Sequence, residues 1–284
     1  MSTFAAWWSA LRPATLVASI SPVMLGCALA VHEDVFVGLP ALLALGAAVF
    51  VQIGTNLAND VLDFKKGADT EQRLGPARAT AQGWLTPTEV SVGAGVALLC
   101  SGACGAGLAL VAGWPVVVIA LVSLVCAVAY TGGPFPLAYV GLGDIFVFVF
   151  FGLIAVAGTV YVQALQWPPQ AWWLGAAYGC LATAILVVNN LRDRVTDKVA
   201  HKRTLAVRLG ARFSRWQYTL LLLVPYVVSG TLGWFWPLVT LPLAWLQIRA
   251  IWNNDGAALN PHLAGTARLG FLFSLALSLQ LVLS

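Results

Sequence analysis

The sequence predicts an all-α integral membrane protein, with about nine transmembrane helices in one bundle around a central cavity. Its composition indicates the class, because 60% of the residues are hydrophobic, only 9% are charged and the mean hydropathy is +0.86, far outside the range of soluble proteins. The apolar stretches suit helices of roughly 20 residues, whereas strands of an outer-membrane barrel would be shorter and alternate in polarity. We expect residues 1–284 to form a single membrane-embedded domain.

The first four predicted spans lie between polar segments or tight turns. The first begins after Pro13 and ends before Glu33 and Asp34, and the third and fourth are separated only by a turn from Gly113 to Pro115, where glycine and proline interrupt a helix. These four spans are 14–31, 38–60, 89–112 and 115–131.

The remaining five spans are divided in the same way. A proline pair, Pro168-Pro169, precedes one of them, and a segment rich in tryptophan around Trp234 and Trp236 separates another two. Tryptophan is enriched at both surfaces of a membrane, so we interpret these residues as interfacial anchors. The five spans are 144–164, 171–192, 216–233, 235–252 and 264–283.

The placement of basic residues supports this count independently. With nine spans, all fifteen Lys and Arg residues fall on one side of the membrane, which the positive-inside rule identifies as the cytoplasmic side. We therefore expect a cytoplasmic N-terminus and a site that faces the cytoplasm. No transit segment precedes the first span, which favours a bacterial inner membrane.

Two clusters of acids and amides lie at the cytoplasmic ends of apolar spans. Ionisable side chains at membrane depth are costly and usually have a function. Asn56, then Asn59 or Asp60, then Asp63 are three or four residues apart, as are Asn189, Asp193 and Asp197, so each set lines one helix face. Carboxylate and amide oxygens suit Mg²⁺. The clusters consist of Asn56, Asn59, Asp60 and Asp63, and of Asn189, Asp193 and Asp197.

The two clusters also form a weak internal repeat. Asn-x-x-x-Asp occurs at Asn56/Asp60 and again at Asn189/Asp193, four spans later. An even number of crossings returns the chain to the same side in the same direction, which predicts two parallel-related halves whose clusters, near 56–69 and 189–197, converge. Each cluster is followed by a long basic loop that we expect to cap the cavity.

Basic residues near the clusters indicate the ligand. A diphosphate bridged by Mg²⁺, with two ions balancing its charge, fits carboxylates that face each other beside Lys and Arg side chains. If the departing group is allylic, an aromatic face can stabilise the cation left behind. The basic residues are Lys66, Arg73, Arg78, Lys198, Lys202 and Arg203; the candidate aromatic faces are Tyr130, Tyr139, Phe146, Phe148, Phe150, Phe151 and Tyr161.

An ordered set of motifs runs through most of the chain. It comprises Arg12-Pro13, Asn56-Leu57-Ala58-Asn59-Asp60-x-x-Asp63-x-x-Lys66-Gly67-x-Asp69, Arg73-x-Gly75-Pro76-x-Arg78, Tyr130-Thr131-Gly132-Gly133-Pro134, Gly141-Leu142-Gly143-Asp144, Asn189-Asn190-x-Arg192-Asp193-x-x-x-Asp197 and Lys202-Arg203-Thr204. In this set the chain resembles the UbiA-type membrane prenyltransferases, and within them the branch that acts on 1,4-dihydroxy-2-naphthoate in menaquinone synthesis.

The resemblance implies transfer of a polyprenyl group from its diphosphate to an aromatic ring, with loss of carbon dioxide and formation of demethylmenaquinone. It assigns catalytic roles to Asp60, Asp63, Asp193 and Asp197. Two Mg²⁺ ions are expected, the first on Asn56, Asp60 and Asp63 and the second on Asn189, Asp193 and Asp197. Substrate is expected to contact Asn56, Asn59, Lys66, Arg73, Arg78, Tyr130, Asp144, Asn189, Lys202 and Arg203, with Lys198 a weaker candidate.

The chain departs from the wider pattern at two positions. Gly67 stands where the superfamily often has an acid, and Val195 replaces an extra acid that is common in the naphthoate branch. The second departure removes one possible metal ligand, so metal affinity could differ from that of other members.

Several alternatives stay open on the sequence alone. Asp144 could cap a helix rather than contact the acceptor. The acceptor could instead be 4-hydroxybenzoate, homogentisate, a chlorophyllide or haem, and intramembrane acids also occur in transporters. A further set of arginines is expected to act as topology signals and lipid-headgroup contacts: Arg192, Arg194, Arg208, Arg212 and Arg215.

Overall fold

A computed structural model of the protein describes residues 2–67, 74–133 and 136–284, except for the side chain of Ala14. Within these ranges the chain is helical and contains no strand, as predicted. The α-helices are α1 Thr3–Leu11, α2 Pro13–His32, α3 Gly38–Lys65, α4 Pro87–Ala112, α5 Trp114–Ala129, α6 Gly143–Val147, α7 Ala155–Ala164, α8 Pro169–Arg192, α9 Arg194–Val199, α10 Leu205–Thr231, α11 Leu241–Asn253 and α12 Asn260–Leu283. A π-helical segment, Phe148–Ile154, joins α6 to α7, and 3₁₀ turns, Trp236–Thr240 and Gly256–Leu259, precede α11 and α12.

In the described part of the chain, six helices are long and apolar enough to cross a membrane, which makes this a multi-pass membrane protein. They are Thr15–His32, Gly38–Lys65, Pro87–Ala112, Gly143–Ala164, Pro169–Arg192 and Gly256–Leu283. Helices also occur at the other three predicted positions, but α5 is only 16 residues long, α11 has 13, and α10 is not among the six. Nine crossings and a cytoplasmic N-terminus therefore stay predictions.

Local sequence signals account for several helix boundaries. Thr86 and Glu89 form a capping box at the start of α4, in which each side chain hydrogen-bonds the backbone N–H of the other residue, satisfying amides that a helix start leaves unpaired. Gly113 connects α4 to α5 with a φ of +76°, a backbone conformation that favours glycine.

Helix α3 extends five residues beyond the predicted span, to Lys65 instead of residue 60. Hydropathy placed the end of the span where the acids begin, but a helix continues when its polar side chains find partners. As described below, Asp60 and Asp63 are hydrogen-bonded to the segment that follows α3. The first acidic cluster therefore lies wholly on one helix.

The π-helical segment lies where α6 and α7 pack closely against α8. Gly152 faces Gly175 and Gly179 so tightly that a Cβ atom at Gly152 would lie 2.5 Å from both the Gly175 carbonyl oxygen and the Gly179 Cα. The predicted span 144–164 is instead one continuous helix. A π segment adds a residue to the helical turn and is frequent at functional sites, and this one turns Phe150 toward a cavity, together with Phe146 of α6.

The largest apolar core, formed mainly by α2, α7, α8, α10, α11 and α12, fixes the C-terminal end of α8. A second core, formed mainly by α1, α3 and α4, fixes the end of α3. The two helix ends that carry the acidic clusters are thus held by different cores, and the polar contacts between them build the site.

Candidate active site

The last two turns of α3 carry the first acidic cluster into the protein interior. Asn56, Asp60 and Asp63 are only 3%, 1% and 4% exposed, so the helix face predicted from their spacing is buried. An unpaired buried charge is strongly destabilising. The two carboxylates therefore need cations or N–H donors around them.

The segment that follows α3 supplies some of these partners. The carboxylate oxygens of Asp60 accept hydrogen bonds from the backbone N–H groups of Ala79 at 3.1 Å and Thr80 at 3.2 Å. The guanidinium of Arg78 donates to Asp63 Oδ2 at 3.1 Å. Hydrogen bonds to charged acceptors are among the strong ones, so both carboxylates are held in fixed positions.

Tyr139 connects the first cluster to the second half of the chain. Its hydroxyl donates to Asp63 Oδ1 at 3.0 Å, and Lys202 Nζ lies 3.7 Å from the same oxygen. The ammonium groups of Lys66 and Lys202 are each 4.7 Å from the centroid of the Tyr139 ring, within the range of a cation–π contact. The backbone N–H of Arg203 donates to the Tyr139 carbonyl oxygen at 2.8 Å.

Lys66 is held from a second direction. Its ammonium donates to the carbonyl oxygen of Thr131, and the Thr131 hydroxyl donates in turn to Asn59 Oδ1. Burial lowers the pKa of Lys66 below its usual value; the charge of Asp63 opposes this shift and the charge of Lys202 adds to it. Two ammonium groups and a guanidinium thus gather beside Asp63, an arrangement suited to a multiply charged anion.

The second cluster is organised by Arg192, which is 3% exposed. Its Nε donates to Asp193 Oδ1 at 2.7 Å, and its Nη2 donates to Asn189 Oδ1 at 2.8 Å as well as to the second oxygen of Asp193. Asn189 and Asp193 therefore face the same point, as their i, i+4 spacing predicted. The prediction that Arg192 contacts lipid headgroups is wrong, because the side chain is buried among these partners.

Asn260, the first residue of α12, links the second cluster to the first. Its Oδ1 accepts from Arg192 Nη1 at 3.0 Å and its Nδ2 donates to the Leu74 carbonyl oxygen at 2.8 Å. Gly75 packs against the guanidinium group of Arg192, since a Cβ atom at Gly75 would be 2.7 Å from Arg192 Nη2. The segment after α3 and the end of α8 consequently form one site.

Asp197 lies on α9, one turn after Asp193, which separates α8 from α9 with φ −89° and ψ 4°. The second cluster therefore spans two helices, and the prediction that its three members share one helix is wrong. Burial raises the pKa of its carboxyl to about 6, Lys202 counteracts the shift, and the negative charges of Asp193 and Asp63 add to it. The electrostatic influence of Asp63 on Asp197 is a further sign that the two clusters are close. A cation placed between them would relieve this repulsion.

The donor set fits a substrate-bridged magnesium ion. Among the described residues, no group of three His, Cys, Asp or Glu side chains is arranged to hold a metal ion by itself. Mg²⁺ does not need such a group, because it is usually bound through one or two carboxylates together with waters and substrate phosphates. Each cluster provides two carboxylates for such a site: Asp60 and Asp63 in the first, and Asp193 and Asp197 in the second.

An apolar cavity of about 230 Å³ lies beside the first cluster, among α2, α3, α4, α5 and the α6–α7 segment. Tyr130, Phe146 and Phe150 line it, and the rings of Phe146 and Phe150 are stacked with centroids 5.7 Å apart. The volume is below the ~300–1,000 Å³ of pockets that enclose drug-sized ligands. It suits a ring or a short apolar chain beside the charged site.

Comparison with known proteins identifies this arrangement. The model of the UbiA prenyltransferase family matches residues 19–274. The chain belongs to that family. It is 38% identical to a 1,4-dihydroxy-2-naphthoate octaprenyltransferase of Mycobacterium leprae, over all of this chain and 98% of that protein. It is 36% identical to the enzyme of the same name from Escherichia coli, over 98% of this chain and 96% of the other.

The UbiA fold is also found in solved structures that are similar to this chain. One is a UbiA homologue from Archaeoglobus fulgidus bound to DMAPP and Mg²⁺, with a TM-score of 0.67, 15% identity, and 97% of this chain and 98% of that chain covered. Another is the apo structure of a homologue from Aeropyrum pernix, with a TM-score of 0.74, 13% identity, and 95% and 98% covered. At these identities the likeness shows the fold.

The UbiA family motifs are not all brought to one point. Asn56 donates to the Leu11 carbonyl oxygen at 3.0 Å and to Thr15 Oγ1 at 2.8 Å, and its oxygen accepts from Gln52. Its side chain therefore faces α1 and α2, and metal ligation through that oxygen would need its second lone pair.

Other predicted residues lie at the margin of the site or cannot be placed. Arg203 and Lys198 are exposed, and Arg73 and Asp69 fall outside the described residues. Asp144 is 7% exposed and accepts from Gln217 Nε2 at 3.0 Å. It lies in the first turn of α6, whose N-cap position is Leu142, so its roles as a cap and as an acceptor contact both stay predictions.

Two residues at the centre of the site, Arg192 and Tyr139, have contacts that were not predicted from the sequence. Arg192 stands three residues after Asn189 and directly before Asp193, a spacing that predicts contact with the first. Tyr139 was considered only as an aromatic face. Nothing local in the sequence indicates that its hydroxyl meets Asp63, because that contact spans 76 positions.

Proposed function

We propose that this protein transfers a polyprenyl group from polyprenyl diphosphate to 1,4-dihydroxy-2-naphthoate, with loss of carbon dioxide, to give demethylmenaquinone in its quinol form. The observation that carries the proposal is the convergence of two carboxylate clusters and a group of cations beside an apolar cavity. The curated relatives named as 1,4-dihydroxy-2-naphthoate octaprenyltransferases, at 34–38% identity over nearly the whole chain, support this acceptor.

The acidic clusters and their cations bind the diphosphate. Two Mg²⁺ ions, in keeping with a diphosphate's charge, would be held by Asp60 and Asp63 and by Asp193 and Asp197, with Asn56 and Asn189 as further proposed ligands. Bound there, they would neutralise charge on the leaving group. The Archaeoglobus fulgidus homologues bound to Mg²⁺ with DMAPP or GPP support this cofactor.

Basic side chains act on the leaving group directly. Lys66, Lys202 and Arg78 surround Asp63, where they would bind diphosphate oxygens and stabilise the charge that grows as the allylic C–O bond breaks. Arg73 and Arg203 are proposed to contribute as well. Because Lys66, Arg78 and Lys202 already have partners before substrate binds, little reorganisation accompanies the reaction.

The apolar cavity receives the carbon side of the reaction. As the C–O bond breaks, diphosphate takes the electron pair and the allylic carbon becomes electron-poor next to Tyr130, Phe146 and Phe150. The ring carbon that carries the carboxylate forms the new C–C bond. The bond to the carboxylate then breaks, its electron pair returns to the ring and carbon dioxide leaves, so no external oxidant or base is required.

The long prenyl chain extends beyond the cavity. A volume of about 230 Å³ cannot enclose a polyprenyl tail, and the surrounding bilayer is the favourable solvent for it. We place the enzyme in a bacterial cytoplasmic membrane with its site on the cytoplasmic side, as one domain whose two halves each contribute one acidic cluster.

The test is an assay of the purified protein with a polyprenyl diphosphate and 1,4-dihydroxy-2-naphthoate, with and without Mg²⁺, that follows prenylated product and carbon dioxide together. Both products should form only with Mg²⁺, and neither should form in Asp60→Ala or Asp193→Ala. Glu33 is an exposed acid that is distant in sequence from either cluster, so the control variant Glu33→Gln should retain activity. Product formed only with 4-hydroxybenzoate or another aromatic acceptor would overturn the naphthoate assignment. Absence of turnover with every acceptor would overturn the proposal as a whole.

A further inference from the structure

The apolar cavity contains two buried polar atoms that the reaction outlined above does not use. Gln52 Oε1 and Ser19 Oγ belong to side chains that are 7% and 4% exposed and that line the cavity. Neither atom has a hydrogen-bond partner among the described residues. Leaving a buried polar group unsatisfied costs roughly 1–3 kcal/mol, and such groups call for an explanation.

The orientation of the Gln52 amide follows from a chain of hydrogen bonds. The Leu11 carbonyl oxygen can only accept, so the atom of Asn56 that meets it at 3.0 Å is the nitrogen. Asn56 Oδ1 then points the other way, toward Gln52, and an oxygen needs a donor. The atom of Gln52 that meets it at 3.0 Å is therefore Nε2. Oε1 is left as an acceptor without a partner, on a side chain that lines the cavity.

Ser19 presents its hydroxyl to the same cavity from α2. Thr15, one turn earlier on α2, contacts the Gln52 amide nitrogen at 3.5 Å and the Asn56 amide at 2.8 Å. Since residues four apart share a helix face, Ser19 lies one turn deeper than this contact and beside Gln52. Most other lining residues are apolar, which makes the pair a polar feature of one wall.

The position of Gln52 and Ser19 relative to the carboxylates suits the ring of the aromatic acceptor. Gln52 precedes Asp60 by eight residues on α3, about 12 Å along the helix axis at 1.5 Å per residue, so a diphosphate at the carboxylates leaves room for a ring between. The stacked rings of Phe146 and Phe150 line the same cavity. A phenolic O–H is a donor that Gln52 Oε1 lacks, and a phenolic oxygen can accept from the Ser19 hydroxyl.

We propose that Gln52 and Ser19 form the subsite for the hydroxyl groups of the aromatic acceptor, with Gln52 Oε1 accepting from a phenolic O–H. This inference rests on the proposed function for the presence of a phenolic acceptor, and it adds the residues that select for it. Asn56 has a positioning role in it, since its oxygen fixes the Gln52 amide. The isoprenyl end of the donor then lies along Phe146 and Phe150.

The chain offers a matched control for Ser19. Ser101 is also buried, at 7% exposed, and lines the same cavity, but its hydroxyl already donates to the Ala47 carbonyl oxygen at 3.0 Å. Ala47 is five residues deeper than Gln52, about 8 Å along α3. Ser19→Ala and Ser101→Ala therefore make the same chemical change, and only the first removes an atom that is without a partner.

The experiment measures steady-state constants for both substrates and direct binding of 1,4-dihydroxy-2-naphthoate and of two analogues that each lack one hydroxyl. Gln52→Met, which keeps the side-chain length, and Ser19→Ala should each raise the KM and Kd for the dihydroxy acceptor about tenfold, the size expected for a buried hydrogen bond. The KM for polyprenyl diphosphate should stay unchanged. In Gln52→Met, the analogue without the contacted hydroxyl should bind as well as the dihydroxy acceptor.

The control variant and the wild type separate the possible outcomes. Ser101→Ala should match the wild type, and thermal unfolding in detergent checks that each variant is folded. Equal acceptor binding by wild type, Gln52→Met and Ser19→Ala, or an equal loss in Ser101→Ala, would overturn the inference. If the wild type prenylates 4-hydroxybenzoate but not the naphthoate, the proposed acceptor fails, and the same variants test the subsite with that phenol.

Discussion

Replacing Tyr139 tests whether the two halves of the site are joined as the structure shows. Tyr139→Phe removes the hydroxyl that donates to Asp63 Oδ1 at 3.0 Å, and a hydrogen bond to a charged group contributes about 1.5–3 kcal/mol. Asp63 keeps Arg78 at 3.1 Å and Lys202 at 3.7 Å, so the lower end applies. We expect kcat/KM to fall about tenfold, at 1.36 kcal/mol per factor of ten.

Tyr139→Leu also removes the ring that contacts both ammonium groups. Each contact, at 4.7 Å from the ring centroid, should be worth about 0.5–1 kcal/mol. Together they predict a further loss of about 5- to 30-fold in kcat/KM, at 1.36 kcal/mol per decade. The loss should appear as weaker binding of the prenyl diphosphate, because Lys66 and Lys202 are no longer held in place.

The assay is the Mg²⁺-dependent formation of prenylated product, with the donor and the acceptor varied separately. Tyr226→Phe provides a control, since it removes a buried hydroxyl that bonds Thr240 in the helical core away from both acidic clusters. The reasoning is refuted if Tyr139→Phe has wild-type kcat/KM, or if Tyr139→Leu is no worse than Tyr139→Phe. Either result would mean that Tyr139 does not organise the cations.

Three further predictions use matched positions or a change of pH. Lys202→Ala should weaken binding of a prenyl diphosphate about tenfold or more, as expected for a lost charge-assisted contact. Lys198→Ala, at an exposed position, should bind it like the wild type. Isothermal titration calorimetry measures the affinity of each variant. The pKa of Asp197 is raised to about 6, and a metal ligand must be deprotonated. The affinity for Mg²⁺ should therefore fall as the pH drops through about 6. An affinity that stays constant from about pH 7 to 5 would contradict the assignment of Asp197 as a metal ligand. Gly152→Ala should lower the free energy of unfolding by about 1–3 kcal/mol through overpacking, since its Cβ atom would lie 2.5 Å from atoms of Gly175 and Gly179. Gly158→Ala should leave it unchanged, because a Cβ atom there would have nothing within 4 Å. Equal unfolding temperatures of the two variants in detergent would disprove the tight contact.

Hydropathy located the helices well because a membrane span must be long and apolar. It failed at helix ends, where tertiary partners decide. Helix α3 continues to Lys65 because Asp60 and Asp63 meet the following segment, and the break at Gly210 in α10 depends on a positive φ. The π-helical segment has no hydropathy signal, since it results from close packing of Gly152 on α8.

The site was predictable where chemistry follows from local spacing. The faces formed by Asp60 with Asp63 and by Asn189 with Asp193 follow from helical periodicity. Contacts over long sequence separations were not predictable, as the Tyr139 hydroxyl on Asp63 and the Asn260 link to Leu74 show. Composition also misled for Arg192, because a basic residue near a membrane surface is usually a topology signal.

The central claim is that the two acidic clusters bind one diphosphate together through metal ions. The most direct measurement is the affinity of a non-reactive prenyl thiolodiphosphate for the wild type, Asp60→Asn and Asp193→Asn, each with and without Mg²⁺. We expect Mg²⁺ to strengthen binding to the wild type and to have little effect on either variant, although the substituted residues come from opposite halves of the chain. A variant of one cluster that keeps the full Mg²⁺ response would contradict the claim that both clusters serve a single site.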